Sequence, residues 1–259
     1  MTDNELLYTV TDNVARITIN RESSRNAITP GMIRSFLDLL DRVAADETVR
    51  VLVITGAGEK AFCAGADLSG AMGDAQEDAL SVFKDYAALL KRLTRFPKPT
   101  VARVNGSCIA GGTGFMLACD LAVAVETARF GTPEVNVGLF PMMIGALIFS
   151  HVPRKPAMEM MLLGELFDAE KARQLGMVNR VVPVEKLDAE VDAIAATLAA
   201  KSPVGLKLGK NALAAVDALS FEDAVDCLAT QLLAVMETED ATEGITAFIE
   251  RRQPEFTGR

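Results

Sequence analysis

The sequence has no tryptophan, one histidine and four cysteines, and these shortages argue against several kinds of site. The cysteines form no C-x-x-C pair and His151 is the only histidine, so we expect no metal site. A Ser-His-Asp hydrolase would depend on His151, which no G-x-S-x-G motif accompanies. We interpret His151 as structural and the cysteines as reduced thiols, which is typical of a cytoplasmic protein.

Long apolar runs and basic stretches are also missing. The longest uncharged apolar run, Val137–Phe149, has 13 residues, contains Pro141 and is too short to span a bilayer. The first ten residues lack a basic region followed by an apolar run, so we expect no signal peptide. The formal charge of −9 argues against nucleic acid, since the 26 lysines and arginines are scattered. We therefore expect a cytoplasmic protein with no membrane and no nucleic-acid partner.

The chain is long and apolar enough to bury a real core, because half of its 259 residues are apolar. Its start predicts a hairpin, since the alternating runs Leu6–Val10 and Val14–Asn20 flank a polar turn. Thr29 and Pro30 then predict a helix, with threonine as the N-cap and proline at the first helical position.

Two buried-strand patterns repeat along the chain. Arg50–Thr55 is followed by Gly56, and Thr100–Asn105 is followed by Gly106, fifty residues later. Each strand leads through a small-residue loop containing Ala-Gly towards a helix. This repetition predicts one unit used twice, as in a coil whose turns stack. We therefore expect an α/β spiral of strand, strand and helix rather than an open doubly wound sheet.

The remaining pattern divides the chain into a mixed part and a helical part. The segment 69–79 looks least structured, and Lys201-Ser202-Pro203 is a plausible boundary. We predict a core over residues 1–200 and a helical region over residues 201–259. The predicted helices are about 80–95, 113–119, 155–163, 168–175, 184–200, 203–216, 221–236 and 240–252, with strands at 121–126 and 178–182.

The candidate catalytic residues lie at two corners made of small residues and at one carboxylate. Gly111-Gly112 precedes the short helix, where unpaired N–H groups and the positive helix end favour negative charge. Ala64-Gly65-Ala66-Asp67 forms a second corner, and together the two can present two N–H donors to one oxygen. Glu134 can move a proton beside that oxygen, as enolate chemistry requires. Alternatively, the corners are packing turns and Glu134 caps a turn or pairs with an arginine.

A competing motif is Gly56-Ala57-Gly58-Glu59-Lys60-Ala61, which formally matches G-x-G-x-x-A. In a dinucleotide-binding fold a helix begins inside this motif. Here the next residues predict a second short strand instead, which argues against nicotinamide binding.

Several segments resemble the enoyl-CoA hydratase/isomerase (crotonase) superfamily, and they occur in family order across nearly the whole chain. These segments are Asn20–Ile28, Lys60–Leu68, Pro97–Asp120, Ala128–Gly138, Leu163–Pro183 and Glu243–Phe256. The resemblance implies a crotonase-like spiral of repeated ββα units with a C-terminal helical trimerisation region, in homotrimers or homohexamers. It also implies an enzyme that acts on acyl-CoA thioesters and needs no separate cofactor, since CoA is part of the substrate.

The resemblance also implies roles for individual residues. The backbone N–H groups of Ala66 and Gly111 would hold the thioester oxygen, and Glu134 would be the catalytic carboxylate. The residues implied in CoA binding are Ser24, Arg25 and Ala64, with Arg252 or Phe256 reaching in from a neighbouring subunit.

One position departs from the family pattern. Hydratases of the family carry two glutamates that hold and activate water, and the position of the first is Gly114 here. One carboxylate suffices to move a proton, so we favour isomerisation of a 3-enoyl to a 2-enoyl thioester. The alternatives are hydration by Glu134, alone or with a group from loop 67–78, and a non-catalytic acyl-CoA-binding subunit. Phe83, Phe140, Met142 and Met143 line an acyl pocket or pack in the core.

Overall fold

The chain begins with an antiparallel hairpin, as predicted. The computed structural model describes residues 5–67 and 76–259, and its strand β1 (Leu6–Thr11) pairs with β2 (Val14–Ile19). Asp12 and Asn13 connect the strands with φ of 49° and 63°, the left-handed conformation that a tight hairpin turn requires. Alternate residues of β2 are buried, so one face of this strand lies on the core.

The strands that follow the hairpin are β3 (Val51–Gly56), β4 (Ala61–Cys63), β5 (Thr100–Val104), β6 (Ser107–Ile109), β7 (Leu121–Val125), β8 (Arg129–Gly131), β9 (Phe167–Asp168) and β10 (Arg180–Val182). Together with β1 and β2 they form two sheets. The first sheet has the order β1-β2-β3-β5-β7-β10 and the second has the order β4-β6-β8-β9. From β2 to β10 the neighbours in the first sheet are parallel, which requires a crossover between successive strands.

Helices complete each turn of the spiral. The helices are α1 (Pro30–Ala45), α2 (Gln76–Thr94), α3 (Gly111–Leu117), α4 (Met142–His151), α5 (Arg154–Leu163), α6 (Ala169–Gln174), α7 (Leu187–Ala199), α8 (Pro203–Val216), α9 (Phe221–Met236) and α10 (Glu239–Glu250). The chain passes from β3 through β4 to helix α2, and from β5 through β6 to helix α3, so each turn adds one strand to each sheet. This confirms the predicted spiral of ββα units.

The repeated glycines mark the points where the chain bends sharply from one sheet to the other. A Cβ atom added to Gly56 would lie 2.4 Å from the Phe62 carbonyl oxygen. A Cβ atom added to Gly106 would lie 2.4 Å from the Lys60 carbonyl carbon. Only glycine allows such close backbone approach, which explains its recurrence at these two bends.

Most predicted helices are present, with two differences. The Thr29 side chain accepts a hydrogen bond from the Met32 N–H, as expected of the N-cap of α1. Helix α3 begins at Gly111, two residues before the predicted start, because the glycine pair itself forms its first turn. Helix α4 was not predicted from the sequence, because its residues are apolar on every side and show no helical period.

Helices α8 to α10 follow one another from Pro203 to Glu250. Several of their large apolar side chains are exposed, including Phe221, Phe248 and Ile249. None of the helices in the described ranges is long and apolar enough to cross a bilayer.

Candidate active site

The two small-residue corners meet in the structure. A Cβ atom added to Gly65 would lie 2.6 Å from the Ala110 Cβ and 3.0 Å from the Gly111 nitrogen. Gly65 itself has φ of +87°, which glycine adopts without strain. The Gly65-Ala66 corner therefore lies directly against the first residue of α3.

The Ala66 N–H points away from its neighbouring strand. Ile28 bridges Ala66 in parallel: its N–H donates to the Gly65 oxygen at 2.7 Å, and its oxygen accepts from the Asp67 N–H at 2.9 Å. In such a parallel bridge the N–H of the central residue faces the opposite side. The Ala66 N–H therefore faces away from Ile28, and no described residue is seen to accept a hydrogen bond from it.

An ion pair holds this corner in place. Arg21 lies 2.9 Å from the Asp67 carboxylate and 2.9 Å from the Glu5 carboxylate, and it also donates to the Ala27 oxygen. Asp67 is therefore engaged in supporting the corner. The alternative of hydration includes a second group from loop 67–78. Residues 68–75 of that loop lie outside the described residues.

Gly111 presents its N–H at the start of α3. The first N–H groups of a helix have no acceptor within the helix, so the Gly111 N–H has no acceptor inside α3. The preceding residue, Ala110, has φ of 50° and ψ of −131°, a conformation that costs a non-glycine residue about 1–3 kcal/mol. The surrounding structure keeps Ala110 in this unfavourable conformation. The conformation of Ala110 in turn sets the direction of the Gly111 N–H.

Glu134 lies on a short 3-10 helix, Pro133–Val137, that follows β8. Its side chain is partly buried, and its Oε2 is a buried atom with no hydrogen-bond partner in the described chain. Burial raises the pKa of Glu134, while a contact with its own backbone N–H acts in the opposite direction. The carboxylate is consequently a stronger base than an exposed glutamate.

The Tyr86 side chain, which the sequence reasoning missed, lies beside the corners. Its hydroxyl donates to the Gly111 oxygen at 2.5 Å, and its ring packs edge-on against Phe115 at 5.7 Å. Tyr86 is 7% exposed, and burial raises its pKa well above the ordinary value, so the hydroxyl stays protonated. The apolar period of α2 marks position 86 as buried, but sequence spacing alone gives no sign that it reaches Gly111.

Gly114 lies one turn into α3, under Tyr86. A Cβ atom at Gly114 would lie 2.6 Å from the Tyr86 hydroxyl oxygen and 2.5 Å from the Ile144 Cγ2. The space that a side chain at position 114 would need is therefore already filled.

The residues expected to bind CoA separate into two groups. Ser24 and Arg25 are exposed at the end of a short 3-10 helix, and the Ala64 N–H donates to the Arg25 oxygen at 3.1 Å. In the same chain, Arg252 instead forms ion pairs with Glu243 and Glu250. The ring of Phe256 packs near Gly244, in the C-terminal region.

Other expected features can also be placed. Phe83, Phe140 and Met142 are exposed, so core packing is the wrong interpretation for these three, whereas Met143 packs against the core. His151 is exposed and its Nδ1 contacts the Leu147 oxygen, a local helix-end contact. The G-x-G motif after β3 leads into β4 rather than a helix, which a dinucleotide site would need.

Comparison with known proteins identifies the chain. Residues 9–259 match the family model described as enoyl-CoA hydratase/isomerase. The chain belongs to the enoyl-CoA hydratase/isomerase family. This membership confirms the resemblance found in the sequence, and it makes the chain an enzyme of a family that acts on CoA thioesters.

Individual family members support the assignment over nearly the full length. The chain is 34% identical over 257 residues to the 2,3-dehydroadipyl-CoA hydratase of Escherichia coli K12, covering 98% of this chain and 99% of that protein. It is 33% identical over 252 residues to the (E)-benzylidenesuccinyl-CoA hydratase of Thauera aromatica, covering 96% and 97%. A crystal structure of an enoyl-CoA hydratase from Mycobacterium smegmatis matches with a TM-score of 0.94 at 34% identity, covering 98% and 99%.

Proposed function

We propose that this family member isomerises 3-enoyl-CoA to 2-enoyl-CoA thioesters with Glu134 as its one proton carrier. The observation that carries the proposal is the pairing of a partly buried carboxylate at position 134 with a glycine, rather than a second glutamate, at position 114. A single base can complete a proton shift, whereas addition of water also requires a group that positions the water.

The proposed reaction begins at C2 of the substrate. The Glu134 carboxylate takes a proton from C2, and the electrons of that bond form a dienolate whose negative charge rests on the thioester oxygen. The N–H groups of Ala66 and Gly111 hold this oxygen, each contributing about 3 kcal/mol. The protonated Glu134 then returns the proton to C4, the double bond settles between C2 and C3, and no atom is gained or lost.

Hydration of 2-enoyl-CoA is the second candidate. The names of the two curated relatives, both hydratases, favour it. In this candidate Glu134 deprotonates a water molecule that attacks C3, and then delivers the proton to C2. A water molecule held by one carboxylate is less constrained than one held by two, which is why we rank this reaction second.

The CoA portion is proposed to lie along Ser24, Arg25 and Ala64. The hydrogen bond between the Ala64 N–H and the Arg25 oxygen supports this path, because it joins the two residues directly. Arg252 and Phe256 belong to the proposed trimer contact, from which they would reach the CoA of a neighbouring subunit. No cofactor besides the substrate's own CoA is needed for either reaction.

Glu134→Gln tests this proposal with 3-enoyl-CoA and 2-enoyl-CoA as separate substrates. We expect the wild type to shift the double bond faster than it adds water, and Glu134→Gln to lose turnover by roughly 100-fold or more while still binding CoA. Glu126→Gln, which changes an exposed glutamate, is the matched control and should keep wild-type rates. Near wild-type activity of Glu134→Gln would remove Glu134 from the mechanism, and binding without turnover by the wild type would indicate the non-catalytic subunit.

A further inference from the structure

Gly111 and Gly112 give the backbone wide freedom at the point where the Gly111 N–H is proposed to bind the thioester oxygen. Glycine adopts a wider range of φ and ψ than other residues, so two in succession define no direction by themselves. The residue before them, Ala110, makes no side-chain capping hydrogen bond to α3. Contacts from elsewhere in the fold therefore have to fix the orientation of this N–H.

Backbone contacts restrain the peptide group that precedes Gly111. The Ala110 N–H donates to the Gly131 oxygen at 2.9 Å, and the Ala110 oxygen accepts from the Thr113 N–H at 2.9 Å. The Ala110 carbonyl and the Gly111 N–H belong to one planar peptide group and point in opposite directions. The hydrogen bond from Thr113 to the Ala110 oxygen therefore restrains the Gly111 N–H as well.

A side chain restrains the peptide group that follows Gly111. The Tyr86 hydroxyl donates to the Gly111 oxygen at 2.5 Å. Tyr86 is buried, and its ring packs against Phe115, which in turn stacks on Phe36 at 5.6 Å. Burial raises the pKa of Tyr86 well above its ordinary value, so the hydroxyl keeps the proton that it donates. Aromatic packing thus holds the donor in place.

We propose that Tyr86 is a positioning residue whose hydroxyl keeps the Gly111 N–H directed at the thioester oxygen. With the carbonyl groups on both sides of Gly111 held, rotation about its φ and ψ bonds is restrained, although it is a glycine. The proposal rests on the function proposed above, because it concerns one of the two N–H groups assigned to the substrate oxygen.

The test is Tyr86→Phe, which removes the hydroxyl and keeps the ring against Phe115. A misdirected N–H loses most in the transition state, where the thioester oxygen carries the most charge. We expect kcat for isomerisation to fall by roughly tenfold and KM to change by less than about twofold. Tyr86→Leu also lacks the hydroxyl and should lose at least as much kcat, and thermal unfolding shows that each variant is folded.

An absorption measurement separates this role from a general loss of stability. The probe is aminocinnamoyl-CoA, whose ring is conjugated with the thioester carbonyl, so hydrogen bonds to that oxygen move its absorption to longer wavelength. We expect the full shift with wild type and Glu134→Gln, and roughly half of it or less with Tyr86→Phe. The matched control is Tyr8→Phe, the same change at the other tyrosine of the chain, on β1, which should keep the full shift and the wild-type kcat.

The possible outcomes separate this role from the proposed function. An unchanged kcat in Tyr86→Phe, a loss confined to KM, or a full absorption shift with this variant would overturn the role of Tyr86. A wild type that shifts the absorption of the probe but does not isomerise 3-enoyl-CoA would contradict the proposed function alone. A wild type that gives no shift would contradict the oxygen pocket formed by Ala66 and Gly111, and with it both proposals.

Discussion

At the scale of single residues, the partly buried carboxyl of Glu134 has two opposing consequences. Burial raises its pKa, so the carboxylate binds a proton more tightly and is the stronger base. The same burial makes the ionised form unfavourable in the folded protein. Oε2 has no partner within residues 5–67 and 76–259, so only the contact of the carboxylate with its own backbone N–H offsets part of this cost.

The sign of the stability effect follows from linkage. Because the folded-state pKa of Glu134 is raised, its ionisation destabilises the fold above that pKa, and the penalty disappears as the pH falls below the ordinary carboxyl value. We predict that Glu134→Gln raises the Tm by a few degrees at about pH 7 and by less at about pH 4. Differential scanning calorimetry of wild type, Glu134→Gln and the exposed control Glu126→Gln measures this. A lower Tm for Glu134→Gln at neutral pH would contradict the burial argument.

Sequence reasoning locates some of these residues and misses another for a physical reason. Gly65 and Gly111 carry a local signal, since small residues beside a turn allow close backbone approach. Glu134 is visible as a carboxylate in a stretch of small and apolar residues. Tyr86 carries no such signal, because its contact with Gly111 joins positions 25 residues apart through the packing of α2 against α3.

At the scale of secondary-structure elements, α9 and α10 present apolar side chains that the single chain leaves uncovered. Phe221 is 78% exposed, Phe248 is 84% exposed and Ile249 is 73% exposed. Large apolar side chains that are this exposed often mark a surface that another protein chain covers. Their placement supports the proposal that the C-terminal helical region forms the trimer or hexamer contact.

We predict that Phe248→Glu weakens this assembly, because a carboxylate replaces an exposed ring at the proposed contact. Light scattering after size exclusion should give the mass of a trimer or hexamer for the wild type and a lower mass for the variant. Thr197→Glu adds the same charge to an exposed position of α7, outside the C-terminal helical region, and should keep the wild-type mass. A monomeric wild type, or a variant that assembles fully, would count against this contact.

Helix α4 shows where periodicity gives no information. Its residues, Met142–His151, are apolar on nearly all sides and follow Pro141, so the sequence shows a short apolar run without a helical face. Ile144 and Ile148 are buried while Met142 and Phe149 are exposed, a division that depends on how α4 packs against α3 and α5. By contrast, capped helices such as α1 and α6 were predictable because Thr29 and Asp168 mark their starts.

At the scale of the whole molecule, the spiral follows from the fifty-residue spacing between two strand-glycine patterns in the sequence. Gly56 and Gly106 recur because each turn of the chain must pass between the two sheets at the same kind of tight bend. What the spacing does not specify is which side chains meet where successive turns stack. The contacts of Gly65 with Gly111 and of Tyr86 with Gly111 arise from that stacking.

Transfer of deuterium by the wild-type protein tests the central claim of a single proton carrier most directly. The substrate is 3-enoyl-CoA with both C2 hydrogens replaced by deuterium, and mass spectrometry with NMR locates the label in the product. If Glu134 alone lifts and returns the proton, part of the removed deuterium appears at C4 of 2-enoyl-CoA and the product gains no water. A product that carries an added water molecule, or has no deuterium at C4, would contradict the account.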